Sequence, residues 1–159
     1  MLKLKQHAQL DAVDRRILHL LQRDATISHA DLAERVGASS ASCWRRVKAM
    51  EAAGVLVGTV RLADGAKLGC GVNVLCNVRV ISQLHASSLA FEEFALNQPE
   101  IVECYSMSGD SDYLLRIVAR DVADYNDFLM GKMLKHPAVA SASSHFALQT
   151  IKFTTALPV

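Results

Sequence analysis

From Leu10 the apolar positions fall at Leu10, Val13, Ile17, Leu18, Leu20 and Leu21, the spacing of a helix that turns one stripe toward a core. Asp11 and Asp14 stand in its first turn, where the helix dipole favours negative charge. Ser28, with Asp31 three residues on, reads as the cap of a second helix. That helix carries Leu32, Ala33 and Val36 inward and stops at Gly37, suited to a left-handed end. A third helix opens at Ser39 or Ser40 and runs to Ala53. Two short helices joined by a Gly-containing turn, behind a longer one, make a helix-turn-helix. Val55, Val57, Val60 and Leu62 then alternate as strand material, expected to form a small wing, before Gly65, Gly69 and Gly71 mark a crossing.

From Val72 the period changes to two: Val72, Val74, Cys76, Val78 and Val80 share a face, with Asn73, Asn77 and Arg79 on the other. His85–Asn97 reads as a helix ended by Pro99, Ile101–Ser108 and Tyr113–Ala119 as strands, and Asp121–Lys135 as a second helix with Val122, Tyr125, Phe128, Leu129 and Met133 inward. Val139–Phe153 has room for one or two further strands. The order βαββαβ is the ferredoxin-like split βαβ pattern. The fold class is therefore α+β, with a winged helix-turn-helix at 1–62, a linker at 63–71 and a ferredoxin-like domain at 72–159. The sheet of such a domain has one open face, and Leu75 and Leu114 on it call for a second copy of the chain.

The third helix carries the chemistry of the first half. Advancing 100° per residue from Cys43 brings Cys43, Val47 and Met50 within about 60° of one another. Arg45 and Lys48 project from the other side, beside the small residues Ala41 and Ala52. Such a face approaches DNA closely while offering cations to phosphates and guanine edges. Ser39, Ser40 and Ser42 at the helix start add hydrogen-bond donors. A solvated basic face on an ordinary bundle is the plainer alternative, and the tri-helical layout with its serine-rich start favours DNA over it. Arg46 borders the buried stripe, with phosphate and a bracing role both open to it. Trp44 lies at the flank, equally placed to wedge between helices or to touch DNA.

Charge distribution supports that division. The chain's net +1 conceals a first stretch, 1–62, with ten basic and six acidic residues, and a second, 63–159, with seven and ten. A basic front on an acidic back fits a polyanion-binding module joined to something with another task. Cys43, Cys70, Cys76 and Cys104 show no CxxC pair, the N-terminal segment has no apolar leader, and no stretch approaches the ~18 apolar residues of a membrane span. A reduced, cytoplasmic protein is expected. His7, His19, His29, His85, His136 and His145 have no metal-ligand pattern, so neither metal nor cofactor is expected. An enzyme is disfavoured because no histidine stands at motif spacing from an acid or nucleophile, and Asp110 with Asp112 fits a solvated turn better than a catalytic pair.

The turn Gly109–Tyr113 could receive a ligand: Gly109 permits a positive φ, the two aspartates accept from an ammonium group, and backbone amides can hold a carboxylate. That combination suits an amino acid. On the residues alone, however, a plain hairpin loop is the better reading.

The segments LDAVDRRILHLLQRDATISHADLAERVGASSASCWRRVKAMEAAGVLVG and PEIVECYSMSGDSDYLLRIVARDVADYNDFLM, followed by HPAVASASSHFALQTIKF, strongly resemble the Lrp/AsnC, or feast/famine, family of transcriptional regulators, in one register from Leu10 to Phe153. The resemblance implies a DNA-binding domain followed by a ferredoxin-like domain of RAM type. It also implies homodimers assembling into higher oligomers such as an octamer, and an amino acid or related effector between dimers. By position it puts Ser40, Ser42, Arg45 and Arg46 in the recognition helix and Gly109, Asp112 and Tyr113 in the effector loop, with Met107, Ser108 and Asp110 lining the same turn. Ser144 and Phe146 fall on the last strand, which borders the pocket in relatives. Two positions depart from the family pattern: the recognition helix lacks the proline common after its first serine, and Trp44 stands where an aliphatic residue is more usual. The functional expectation is a sequence-specific regulator binding double-stranded DNA and answering to an effector through changed assembly. The alternative is an architectural, nucleoid-like DNA-binding protein with little effector control.

Overall fold

The computed structural model describes residues 9–82 and 85–159; the expectations resting on the N-terminal segment, His7 included, lie outside the described residues. The chain divides into two units, one of residues up to Arg61 together with Lys152–Val159, the other Leu62–Ile151. The last eight residues, expected with the sheet domain, thus cluster with the helices.

Three helices build the first unit: α1 (Ala12–Leu21), α2 (His29–Val36) and α3 (Ser40–Ala52). Each begins where a side-chain oxygen takes the amides that a first turn leaves without a carbonyl. Asp11 accepts from the amides of Val13 and Asp14, both at 2.8 Å, Ser28 from Asp31 at 3.1 Å and Ser39 from Ser42 at 3.2 Å. The Asp14 carboxylate returns the contact by accepting from the Asp11 amide at 3.1 Å, closing a capping box made of two aspartates. α2 ends on Gly37 at φ +71°, a conformation that lets α3 start after only Ala38 and Ser39. Ile17, Leu18, Leu32, Ala33, Val36, Cys43, Val47 and Met50 form the core between the three helices. At the end of α1 the Gln22 side chain donates to the Leu157 carbonyl at 3.1 Å and accepts from its amide at 2.6 Å, which ties the C-terminal residues to this unit.

The expected wing is not formed. The amides of Val55 and Leu56 fold back onto the Met50 carbonyl, at 2.9 and 3.2 Å, and both side chains pack on the helical core. Val57 and Val60 beyond them are 92% and 79% exposed, and residues 57–63 join no strand ladder. A wing needs a returning strand, and the next residues close a tight turn instead: the Cys70 amide donates to the Gly65 carbonyl at 2.7 Å. Alternation alone could not reveal the missing partner.

In the second unit, β1 (Val72–Val80), α4 (His85–Leu96), β2 (Ile101–Ser106), β3 (Tyr113–Ala119), α5 (Val122–Phe128) and β4 (Val139–Phe146) follow in the expected βαββαβ order. The strands pair antiparallel in the order β2-β3-β1-β4. The alternating face of β1 is buried as read: Val74, Cys76, Val78 and Val80 join Phe91, Leu115, Ile117, Tyr125, Phe128 and Met133 in one core. Asp121 caps α5, accepting from the Asp124 amide at 2.8 Å, and the helix widens into a π-helical turn at Leu129–Met133.

One expectation needs correction here, and one open choice, between one and two strands after Val139, is resolved in favour of one. Val122 is 61% exposed rather than inward, because α5 joins the core only from Tyr125 onward. β4 stops at Phe146, and no second strand follows toward Phe153. Its partner β1 begins at Val72, so after the Ala147 amide reaches the Asn73 carbonyl at 2.9 Å no paired backbone is left. On the open face, Leu75 is 42% exposed and Leu114 half-buried. Across that face Arg116 spans three strands, donating to Glu103 at 2.7 Å and to Asn73 at 3.3 Å, while the Tyr105 hydroxyl donates to Glu103 at 3.0 Å.

Asp124 generates a pH dependence. Its carboxylate accepts from the Arg120 guanidinium at 2.6 Å and the Arg120 amide at 3.0 Å, which lowers its pKa from 3.8 to about 2. A depressed folded-state pKa contributes stability above pH 3.8 that is lost as pH falls toward 2. The thermal stability difference between the native chain and Asp124→Asn should therefore be largest above pH 4 and close toward pH 2, as scanning calorimetry across that range will test.

Candidate nucleic-acid interface and effector loop

The inward residues of α3 are Cys43, Val47 and Met50, as the wheel indicated. Everything else on the helix is at least partly open to solvent, and the three predicted cations divide sharply. Arg45 is exposed and enters no ion pair among the described residues. Lys48 pairs with Glu51 at 2.7 Å one turn on, with both side chains about half exposed; such a pair is worth little and readily gives way to a phosphate. Arg46 is different. Its Nη1 donates to Asp11 at 2.7 Å and to Asp14 at 2.6 Å, and its side chain is only 26% exposed. These contacts hold the Asp11 carboxyl below its ordinary pKa, first through the Asp14 amide and then through Arg46, and raise that of Arg46. Of the two roles open to Arg46, the brace is the one its contacts describe.

Ser39 uses its hydroxyl oxygen as the α3 cap, while Ser40 is exposed and Ser42 half-buried beside it. The amides of the first helical turn point outward from this end, and the helix dipole adds partial positive charge there. Trp44 does not wedge between helices: it is 53% exposed. The result is a helix whose outer surface presents Ser40, Ala41, Trp44, Arg45 and Lys48 together, over a core that fixes its position.

The turn between β2 and β3 is closed by the Met107 amide donating to the Asp112 carbonyl at 2.9 Å, with Gly109 at φ +124°, a conformation that L side chains rarely adopt. Met107, Ser108, Gly109 and Asp110 are exposed along it. Asp112 turns toward the sheet: its amide donates to the Val78 carbonyl at 3.0 Å, and its carboxylate accepts from the Val80 amide at 2.9 Å. Tyr113 is a core residue, 4% exposed, with its ring 4.6 Å from that of Phe91 and its hydroxyl donating to Glu92 at 2.9 Å. Burial, then the Glu92 carboxylate, pushes that phenol's pKa up.

Ser144 and Phe146 lie elsewhere. Ser144 shares a hydrogen bond with the Tyr125 hydroxyl beside Cys76, and Phe146 meets the Tyr125 ring edge-on at 5.4 Å. Burial raises the Tyr125 phenol to about 12 and lifts the Cys76 thiol above its ordinary value. Tyr113 pairs with Val78 of β1, and Val78 with Ala142 of β4. Two strand spacings thus put β4 roughly 10 Å across the sheet from the end of the turn, and Phe146 roughly 13 Å further along its strand. One chain does not bring the turn and the β4 residues together.

None of the Asp112, Tyr113 and Arg46 anchors was readable from spacing. Their partners Val80, Glu92 and Asp11 are distant in sequence, and only the D-x-x-D pattern at Asp11–Asp14 hinted that these carboxylates do more than sit near a dipole. Among the described residues no three His, Cys, Asp or Glu side chains converge on a metal-sized site, and no helix is long and apolar enough to cross a membrane.

Comparison with known proteins agrees with the geometry. Residues 10–51 match the AsnC-type helix-turn-helix domain and residues 73–157 the Lrp/AsnC ligand binding domain. The chain is 36% identical over 152 residues to the DNA-binding transcriptional activator DecR of Escherichia coli strain K12, covering 94% of this chain and 99% of that protein. It is 35% identical to the glutamate uptake regulatory protein of Zymomonas mobilis, covering 95% and 92%. Among solved structures, an AsnC family transcriptional regulator from Agrobacterium tumefaciens superposes with a TM-score of 0.89 at 43% identity, covering 94% of this chain and 97% of that one. A transcriptional regulator from Neisseria meningitidis in complex with L-Met superposes at 0.91 with 31% identity, covering 94% and 97%. These are regulators and not enzymes.

The Asp112 contact predicts a stability effect separate from any ligand. Asp112→Ala leaves the buried Val80 amide without this acceptor, a loss of about 1–3 kcal/mol, whereas Asp112→Asn keeps an acceptor oxygen and loses less. Urea denaturation of the three chains checks the order; equal losses would mean that the acceptor is not what matters.

Proposed function

The chain belongs to the Lrp/AsnC family, as a DNA-binding transcriptional regulator with an amino-acid ligand-binding domain, and from that premise we propose that it is a sequence-specific cytoplasmic regulator whose assembly, and through it DNA binding, answers to an amino acid. The observation that carries this reading is the split of cations on α3. Arg46 is held by Asp11 and Asp14, which braces the helix, while Arg45 on the outer surface has no ion-pair partner among the described residues. In this reading Arg45 meets a base edge or phosphate, Lys48 exchanges Glu51 for phosphate, and Ser39, Ser40 and Ser42 with the helix start hold the backbone of one strand. Arg46 serves the interface by positioning rather than by contact.

The effector reading draws on the turn. Met107, Ser108, Gly109 and Asp110 stand exposed on a backbone that Asp112 and Tyr113 anchor from beneath. Their mix of backbone amides and one exposed carboxylate suits the two charged ends of an amino acid. The relative solved with L-Met makes that chemical class the natural first choice. Because Ser144 and Phe146 lie far from the turn within one chain, a pocket drawing on both must be completed by another copy. That requirement links ligand binding to assembly, and assembly sets the spacing of recognition helices along DNA. A homodimer through the open sheet face, with Leu75 and Leu114 covered, is the first step, and rings such as an octamer follow.

Three measurements test the proposal. A thermal-shift screen against the twenty amino acids should single out one or a few related ones; at a hundred times its dissociation constant a ligand adds about 2.7 kcal/mol to the folded state. Sedimentation with and without that ligand should show a change in oligomer size, and no change would end the assembly mechanism. Arg45→Ala should weaken binding to selected duplexes by roughly 1–3 kcal/mol and to random duplexes by less. Broad, salt-sensitive binding with a small specificity ratio, unaffected by any amino acid, would favour an architectural role instead.

A further inference from the structure

Trp44 is the chain's single tryptophan, and it is left 53% exposed in the middle of α3. The helix core is complete without it, since Cys43, Val47 and Met50 already fill the buried stripe. By helix geometry Trp44, Lys48, Ala41 and Arg45 occupy one continuous arc about 100° wide on the outer side. An exposed indole alone says little about its partner. An indole flanked by two cations and one small residue says more, because the cations bring a polyanion to the same surface and alanine lets it come close. The apolar feature that the base edges of a duplex offer in the major groove is the thymine C5-methyl group. A solvated aliphatic or polar side chain would serve a purely phosphate-binding helix at no loss, whereas an indole gains only if something apolar covers it.

We propose that Trp44 is a specificity-determining residue that packs its ring against a thymine methyl group beside the base read by Arg45. The inference rests on the DNA-binding reading and deepens it: the chain prefers thymine at one position of its site through apolar contact, without a hydrogen bond to that base. It also accounts for the division of roles along the helix. Arg45 supplies charge and hydrogen bonds, Ala41 supplies clearance, and Trp44 supplies the apolar discrimination that neither cation can give.

Because this tryptophan has no other to mask it, its emission reports the contact directly. The full chain is titrated with labelled duplexes that it has itself selected from a random pool, following label anisotropy and tryptophan emission together. Emission should move to shorter wavelength and become shielded from acrylamide as the duplex saturates, while the DNA-free chain stays open to the quencher. Thymines of the duplex are then replaced one at a time by deoxyuridine, which lacks only the methyl group. One replacement should weaken the native chain roughly fourfold, the value of one buried methyl group, and leave the short Trp44→Ala and the polar Trp44→Gln unaffected. Emission unchanged while anisotropy shows saturation overturns the inference and leaves DNA binding standing. So does a deoxyuridine penalty that persists in both variants, or an indole already shielded in the DNA-free chain, which would assign its cover to a second copy. If no duplex is retained at all, the DNA-binding reading falls and this inference falls with it.

Discussion

Arg46 reaches from the middle of α3 to two carboxylates at the start of α1, and the arrangement of the helical unit depends on that contact. Asp11 and Asp14 already face each other across the first turn of α1, each accepting from the other's amide. Alone, two neighbouring carboxylates would repel. With a guanidinium between them the repulsion becomes attraction: one oxygen of each carboxylate caps α1 while the other accepts from Arg46 and helps hold α3 in place. Because Arg46 is adjacent to Arg45, turning one inward turns the other by about 100° around the helix, toward solvent. The core residues Cys43, Val47 and Met50 set which face of α3 is buried, and the ion pairs tie that face's border to α1.

The sheet unit uses the same principle with different chemistry. Its exposed turn sits over anchors that point away from it, the Asp112 carboxylate onto the Val80 amide and the Tyr113 hydroxyl onto Glu92. Gly109 takes a backbone conformation that other residues rarely adopt, so the turn is shaped by its ends rather than by its own side chains. Surface residues held by buried partners are the general means by which a small domain presents a loop in one geometry.

Much of this was legible in the chain. The period of 3.6 in the first sixty residues and of two from Val72 fixed the type and order of the elements, and Ser28, Gly37, Ser39 and Asp121 marked ends that side-chain oxygens or a positive φ then occupied. These signals are local: a cap, a stop and a stripe each depend on residues within one or two turns. Local patterns mislead where a residue's place depends on a distant partner. Val55–Leu62 alternates like a strand, yet no second strand among the described residues pairs with it, and Val122 keeps helical spacing but precedes the part of α5 that meets the sheet.

The candidate site divides along the same line. The sequence by itself determined that α3 would carry serines at its start, cations on its outer side and apolar residues on its inner one, because helix geometry converts spacing into faces. It also determined that the β2–β3 turn would contain a glycine flanked by aspartates. Only the tertiary structure decided that Arg46 is bound and Arg45 is not, that Asp112 and Tyr113 serve the fold from beneath the turn, that Trp44 stays in solvent, and that Ser144 and Phe146 lie across the sheet from the turn. Each of those depends on which residues far apart in the chain come into contact and which do not, and that is set by how buried surfaces pack, which no local pattern contains.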